Sequence, residues 1–207
     1  MSTNPPAFFI ADARGLDFLN SVATPVDAPV DWISDGGGFI DWLRQAELVA
    51  PGELDEIVAR ATPGELDRVA DQARDLREWF RAFVRDHAGR PLGAESMTRL
   101  APLNRLLQQD EAYTQIVAYA DEHGHSHLAL ETKRRWRSPE SLLIPIGEAI
   151  ARVVVEEDFT HIKACEGHRC TLLFVDQTRA RARRWCSMGV CGNRAKVTAH
   201  RKRKRAE

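Results

Sequence analysis

No cysteine occurs in the first 164 residues of this 207-residue chain. Nor does any apolar run approach the roughly 18–20 residues needed to span a bilayer, which argues against a membrane protein. The N-terminus has an apolar patch, Phe8-Phe9-Ile10-Ala11, but lacks the basic region and long apolar stretch of a secretory signal. An oxidising compartment is therefore not expected, and the reading is cytoplasmic. Glycine-rich phosphate loops, a nucleophile elbow and an HExxH signature are all missing, so no enzyme is expected. There is no internal repeat, and the terminal basic run is the one low-complexity segment.

Acidic residues are scarce at one end. From His161 onward the chain holds 13 of its 29 Lys/Arg and 3 of its 30 Asp/Glu, a balance of +10. The first 160 residues are left with −11, although the whole chain carries only −1. An acidic body thus carries a basic tail module, and a polyanion is the natural partner of that tail. Folding of the tail back onto the acidic body is the bland alternative, and the two are compatible as self-inhibition.

What the C-terminal stretch does contain is all four cysteines, as two pairs. Cys165/Cys170 and Cys186/Cys191 each enclose four residues and stand fifteen apart. Two close pairs at this separation suit a tetrahedral Cys₄ zinc site, in which each tight loop delivers two sulfurs to one side of the metal. Disulfide or redox chemistry is the rival reading, and four inert thiols the third. Four sulfurs leave no open coordination position, so the zinc read here is structural. His168, inside the first loop, could replace a sulfur, but with four cysteines available a solvent-facing role is expected. A module of this size has little apolar core, and metal binding can supply on the order of 10–16 kcal/mol of folding energy. Leu172, Leu173 and Phe174 are expected to form a strand and, with Trp185, a minimal core.

The run Trp185-Cys186-Ser187-Met188-Gly189-Val190-Cys191-Gly192-Asn193-Arg194 resembles the CGNR zinc-finger family of bacterial proteins. The similar stretch begins at Cys165 and includes Phe174, Asp176, Thr178 and the run Arg179–Trp185. Gly15-Leu16-Asp17-Phe18-Leu19-Asn20-Ser21 is similar to the N-terminal ABATE domain that precedes the finger in that family, which has Thr more often at the last position. The resemblance implies a stress-responsive transcription regulator that binds DNA. It spans nearly the whole chain.

The basic residues divide into Arg179, Arg181, Arg183 and Arg184 in the connector, and Arg194, Lys196, Arg201, Lys202, Arg203, Lys204 and Arg205 on or after a last helix. They are the candidates for nucleic-acid contact, with double-stranded DNA the expected partner and RNA left open. Around the metal, Gly192 is expected to permit a turn that a Cβ would strain, and Asn193 to cap a helix running through Lys204. Trp185, Asn193 and Arg194 are read as residues supporting the ligands, with direct nucleic-acid contact the alternative for Asn193 and Arg194.

The expected fold is a mainly α domain with a small β-hairpin (α+β) over residues 1–158, joined to a small Cys₄ finger over 159–207. Helices are expected over Asp12–Ala23, Phe39–Val49, Pro63–His87, Ala94–Gln109 and Pro145–Glu157, with Pro51-Gly52 ending the second. Thr24–Gly38, with its glycine triplet, reads as loop, and Asp158–Ala164 as the joint between modules. Tyr113–Ala120 and His127–Trp136 read as a hairpin. Trp32, Trp42, Trp79 and Trp136 are expected in the core. His123, His125 and His127 alternate at the hairpin tip and could bind a metal, although an exposed polar tip is the plainer reading. Asp12, Asp17 and Asn20 could line a small pocket. A homodimer and a small-molecule effector of the N-terminal domain are both open to this organisation, and a thiol redox sensor or interaction adaptor is the functional alternative.

Overall fold

The computed structural model describes residues 5–24, 28–120 and 125–204. Helices α1 (Arg14–Leu19), α2 (Gly36–Ala46), α3 (Pro51–Arg60), α4 (Glu65–His87), α5 (Ala101–Leu107) and α6 (Leu143–Glu156) form the body. Strands β1 (Val22–Ala23) and β2 (Val30–Asp31) pair antiparallel between α1 and α2. Strands β3 (Ala112–Ala120) and β4 (Ser126–Arg134) form the expected hairpin, with Ile116 opposite Leu130. The chain then enters a third antiparallel pair, β5 (Ile162–Ala164) with β6 (Leu173–Val175), and ends in α7 (Asn193–Lys204). The molecule is mainly helical with small antiparallel hairpins, as its patterning implies.

The short α1 sits at the centre, packed against both α4 and α6. Its Leu16, Phe18 and Leu19 are fully buried. Gly15 is what lets α1 lie so close to α6: a Cβ there would stand 2.6 Å from the carbonyl oxygen of Ala149 and 2.8 Å from a Val153 methyl. The long α4 presents Val69, Ala73, Phe80 and Phe83 to the core at three- and four-residue spacing, the stripe that amphipathic periodicity demands.

Arg77 lies in that stripe too, which periodicity alone does not reveal. Its guanidinium grips Asp31 through two 2.8 Å bonds and donates to the Ser21 hydroxyl at 3.0 Å. Burial by itself would raise the Asp31 carboxyl, but the bonds and charge of Arg77 outweigh it and hold that group below its ordinary pKa. The pair ties β2 to α4 and so closes the chain over α1.

Several expected boundaries move. The glycine triplet is not loop: Gly36, Gly37 and Gly38 open α2, and the Asp35 carboxylate caps the helix by accepting from the Gly38 N–H at 2.8 Å. Glycine is required there by close approach, since a Cβ on Gly36 would meet the Leu66 backbone at 2.7 Å and one on Gly38 the Trp32 carbonyl oxygen at 2.6 Å. Pro51 does not merely end a helix but starts α3 at its first position, where its missing N–H costs nothing. At α4 the Thr62 hydroxyl and N–H both bond the Glu65 carboxylate, so Thr62 donates to the side chain instead of accepting from the helix amide. Trp32 and Trp42 are buried, while Trp79 and Trp136 are half-buried. His123 lies outside the described residues; His125 and His127 are exposed, and His127 stacks on Tyr119.

Asp17 is buried on α1, accepting from the Ala11 N–H at 3.0 Å. Burial pushes its pKa up to about 6, against the lowering pull of the Ala11 amide and Arg14. The folded chain therefore holds more protons than the unfolded chain between about pH 4 and 6. Stability should fall across that window by on the order of 2–3 kcal/mol as pH rises, then level off. In urea titrations, Asp17→Asn should remove this decline while keeping the bond from Ala11.

Candidate metal centre

The four cysteines come together through two different backbone devices. After β5, the Cys165 N–H donates to the Leu172 carbonyl at 2.9 Å, which extends the β5–β6 ladder to the first ligand. The chain then turns through Gly167, whose carbonyl accepts from the Cys170 N–H at 3.0 Å. In the second pair, Cys186 stands just before a helical turn, Met188–Gly192, that contains Cys191 and runs directly into α7. Ser187 caps that turn: its hydroxyl accepts from the Val190 N–H at 3.0 Å, and its carbonyl accepts from Cys191 and Gly192 at 3.1 and 3.0 Å.

The four Sγ atoms lie within 4.8 Å of one another, and three of the four residues are buried. Tetrahedral zinc with Zn–S bonds of about 2.3 Å sets its sulfurs roughly 3.8 Å apart, so small movements would close the shell. The site also supplies donors for negative sulfur. Cys165 Sγ accepts from the N–H of Gly167 at 3.4 Å and of Cys186 at 3.2 Å. Cys191 Sγ accepts from the Arg194 guanidinium at 3.2 Å. Among themselves the thiols compete. A hydrogen bond from Cys186 brings Cys170 down to about 5, the same bond drives Cys186 up, and Cys191 is pushed to about 11 chiefly by burial. One thiolate forms readily at its neighbours' expense, and a cation would allow all four. His168 is exposed and outside the sulfur cluster.

Asp176 organises the connector between the pairs. It is fully buried and accepts from Lys163 Nζ at 2.7 Å, from the Thr178 hydroxyl and N–H at 2.6 and 3.1 Å, and from the Arg183 N–H at 2.9 Å. Burial alone would raise its pKa; Lys163, Thr178 and the Arg183 amide hold it well below the ordinary range.

The basic residues do not act alike. Sequence reasoning names Arg183 among the nucleic-acid candidates, and the structure engages its side chain within the protein. Its guanidinium donates to the Asp12 carboxylate and to the carbonyls of Cys186, of Trp185 through Nε at 3.0 Å, of Ile10 at 2.9 Å and of Val175 at 3.4 Å. It also lies 4.2 Å over the Phe174 ring. These acceptors and the aromatic face turn it inward, as a clamp between body and metal loop. Arg194 also turns toward the metal loop, bonding the Val190 carbonyl at 2.8 Å as well as sulfur. Arg184 pairs with Glu166 at 2.6 Å and covers Trp185 at 4.8 Å, yet stays largely exposed. Arg181 donates to the Asp176 carbonyl and is exposed, as are Arg179, Lys196, Arg201 and Lys204. The side chains of Lys202 and Arg203, and Arg205 as a whole, lie outside the described residues.

Two expectations about the box after Cys191 change. Asn193 has helical backbone angles and is exposed; Ser187, six residues earlier, caps the continuous helical segment. Gly192 is also helical rather than a special turn, and is small because a Cβ would stand 2.5 Å from the Met188 sulfur and 3.1 Å from the Trp185 ring.

The segment expected to join the two modules is itself structured. Ile162–Ala164 is β5, and the β5–β6 pair is built onto α1 and the segment before it. The Asn20 amide donates to the Leu173 carbonyl at 2.8 Å and accepts from its N–H at 2.9 Å, while the Val175 N–H reaches the Ala11 carbonyl at 2.9 Å. Leu172, Phe174, Val175 and three of the cysteines belong to the same apolar cluster as α1 and α4. Of the three polar residues expected around a pocket, Asp12 lines a cavity of about 360 Å³ between α1 and α6 with Arg14, Glu148 and Arg152. Asp17 and Asn20 are engaged with backbone instead. Sequence reasoning missed the roles of Asn20 and Lys163; Asn20 stands inside the Gly15–Ser21 motif, whereas nothing marks Lys163.

A family model described as "CGNR zinc finger" matches residues 161–204, and the ABATE model, described as "Putative stress-induced transcription regulator", matches residues 12–157. No curated protein matches the chain.

Gly167 packs beneath the sulfurs, where a Cβ would stand 2.6 Å from Cys191 Sγ and 3.2 Å from the Cys170 Cβ. Gly167→Ala should therefore weaken metal binding by about tenfold or more, roughly 1.4 kcal/mol, in a chelator competition. Arg183→Ala strips the clamp and should cost about 2–3 kcal/mol in denaturant unfolding.

Proposed function

The chain belongs to the ABATE family and carries its CGNR zinc finger, and from that premise we propose that it is a zinc-organised regulator that binds double-stranded DNA. The four clustered sulfurs carry this reading. Cys165, Cys170, Cys186 and Cys191 hold Zn²⁺ in a closed shell, and the ion supplies folding energy and thiolate stabilisation, not catalysis. Arg194 and the amides of Gly167 and Cys186 offset the formal −2 of a Zn(Cys)₄ centre.

Because Cys191 lies in the turn that runs into α7, the metal fixes where that helix starts. Lys196, Arg201 and Lys204 are exposed on that helix, and Arg179, Arg181 and Arg184 are exposed in the connector between the cysteine pairs. Phosphate contact needs positive charge at the surface, and these side chains provide it, whereas Arg183 does not. The N-terminal domain is the sensing or dimerising part, in a bacterial cytoplasmic setting, and the cavity beside Asp12 is where a small effector would fit. No described helix is long and apolar enough to cross a membrane. A thiol redox sensor is the alternative reading: Cys165, Cys186 and Cys191 are each under a tenth exposed, which shields them from oxidants, whereas Cys170 is half-buried.

Binding of the zinc-loaded chain to randomised duplex DNA and to single-stranded RNA, across a salt series, tests the proposal. Enrichment of a duplex motif at near-physiological salt is the expected result; weak, pool-independent binding that vanishes with salt would reject it. Cys186→Ser should release the metal and abolish binding. Lys196→Ala with Arg201→Ala should lower the slope of log K against log salt by about two, roughly 0.9 for each phosphate no longer neutralised.

A further inference from the structure

The least explained surface lies on the β3–β4 hairpin. Successive side chains of a strand point to opposite faces, so Thr114, Ile116 and Ala118 share one face with Leu128, Leu130 and Thr132 of the neighbouring strand. All six are exposed. Ile116 is 71% exposed, Leu128 74% and Leu130 75%. The opposite face carries Tyr113, Gln115, Val117, Ala129, Glu131 and Lys133, all half-buried, so this mixed side is the one turned toward the rest of the molecule. Among the described residues no other element packs extensively along either strand, and at the hairpin base Arg134 bonds Asp110 at 2.6 Å and Glu148 at 2.7 Å. An uncovered two-stranded hairpin is at best marginally stable in water, and an aliphatic row on a two-edged ribbon invites association.

We infer that this face is the contact through which two copies of the chain associate. None of these six side chains is charged, and Arg134, which shares the face at its base, is tied to Asp110 and Glu148, so the exposed row offers phosphate nothing and can meet its own copy without repulsion. Its relief is self-complementary as well. Small Ala118 stands opposite large Leu128, and Ile116 opposite Leu130. A two-fold axis running along the strands lays β3 of one copy over β4 of the other, so the hollow at Ala118 receives Leu128 of the second copy.

Area sets the strength. Nine paired residues at about 3.4 Å each, two strands wide, give a footprint of roughly 300 Å², and roughly 400–500 Å² of accessible surface with the protruding aliphatics included. Two copies face to face then remove on the order of 800–1,000 Å², at the lower limit of specific interfaces and far below obligate dimers. The expected dimer is therefore reversible and concentration-dependent.

Sedimentation velocity on the zinc-loaded full chain without nucleic acid, from about 1 to 100 μM, tests this. A monomer–dimer equilibrium is expected in that range. Leu128→Glu should weaken it at least tenfold with an unchanged circular dichroism spectrum, because the side chain is already exposed. Mixing Leu128→Glu with Ala118→Lys should restore association as a heterodimer, which only the stated two-fold arrangement predicts. A wild-type chain monomeric throughout, a Leu128→Glu variant that still dimerises, or failure of the mixed pair to associate would overturn the proposal. Since no nucleic acid is present, the outcome is independent of the DNA-binding reading.

Discussion

Four sulfurs held within 4.8 Å of one another in a largely buried setting cannot all carry charge unless a cation joins them. The C-terminal quarter of the molecule follows from that constraint. Amides and a guanidinium are aimed at two of the sulfurs, a glycine clears space beneath them, and the last ligand, Cys191, rides on the turn that starts the basic helix. A segment with so few apolar residues of its own gains its order from the sulfur cluster on one side and from the helical body on the other.

That second support makes the chain one folded unit. Asn20, Ala11 and Ile10 present backbone and amide groups to β6 and to Arg183, and Arg183 passes the contact on to the Cys186 carbonyl. Asp12 accepts from Arg183 and also lines the cavity between α1 and α6. The ligand loop and the body's surface cavity are thus joined by one arginine. This gives a short physical route between a body site and the start of the basic helix.

Charge is sorted by depth. Arg77 and Arg183 sit at internal seams, each satisfied by several acceptors, because a buried guanidinium is tolerable only when its donors are used. The cations of the connector tip and α7 remain at the surface, where their field is available to a polyanion. The acidic excess belongs to the other part of the chain, and the exposed aliphatic row of the β3–β4 hairpin is itself uncharged.

The sequence by itself determined the metal centre, because cysteine is rare enough that two evenly spaced pairs have few meanings, and the structure brings those same four sulfurs together. It also determined the long α4, where sixfold repetition of one spacing leaves little choice, and the hairpin, where the period changes to two. Only the tertiary structure decided the rest. The glycines before Phe39 look like loop until their neighbours Leu66 and Trp32 are seen to forbid a Cβ. Asn193 looks like a cap until Ser187 is found beginning the helical segment earlier. Arg183 is chemically identical to the arginines on either side, and its inward role depends on Asp12 and Ile10, more than 170 residues away in the chain. Spacing and residue type encode what is local, whereas burial and partnership depend on which distant segments meet, and no window of sequence contains both.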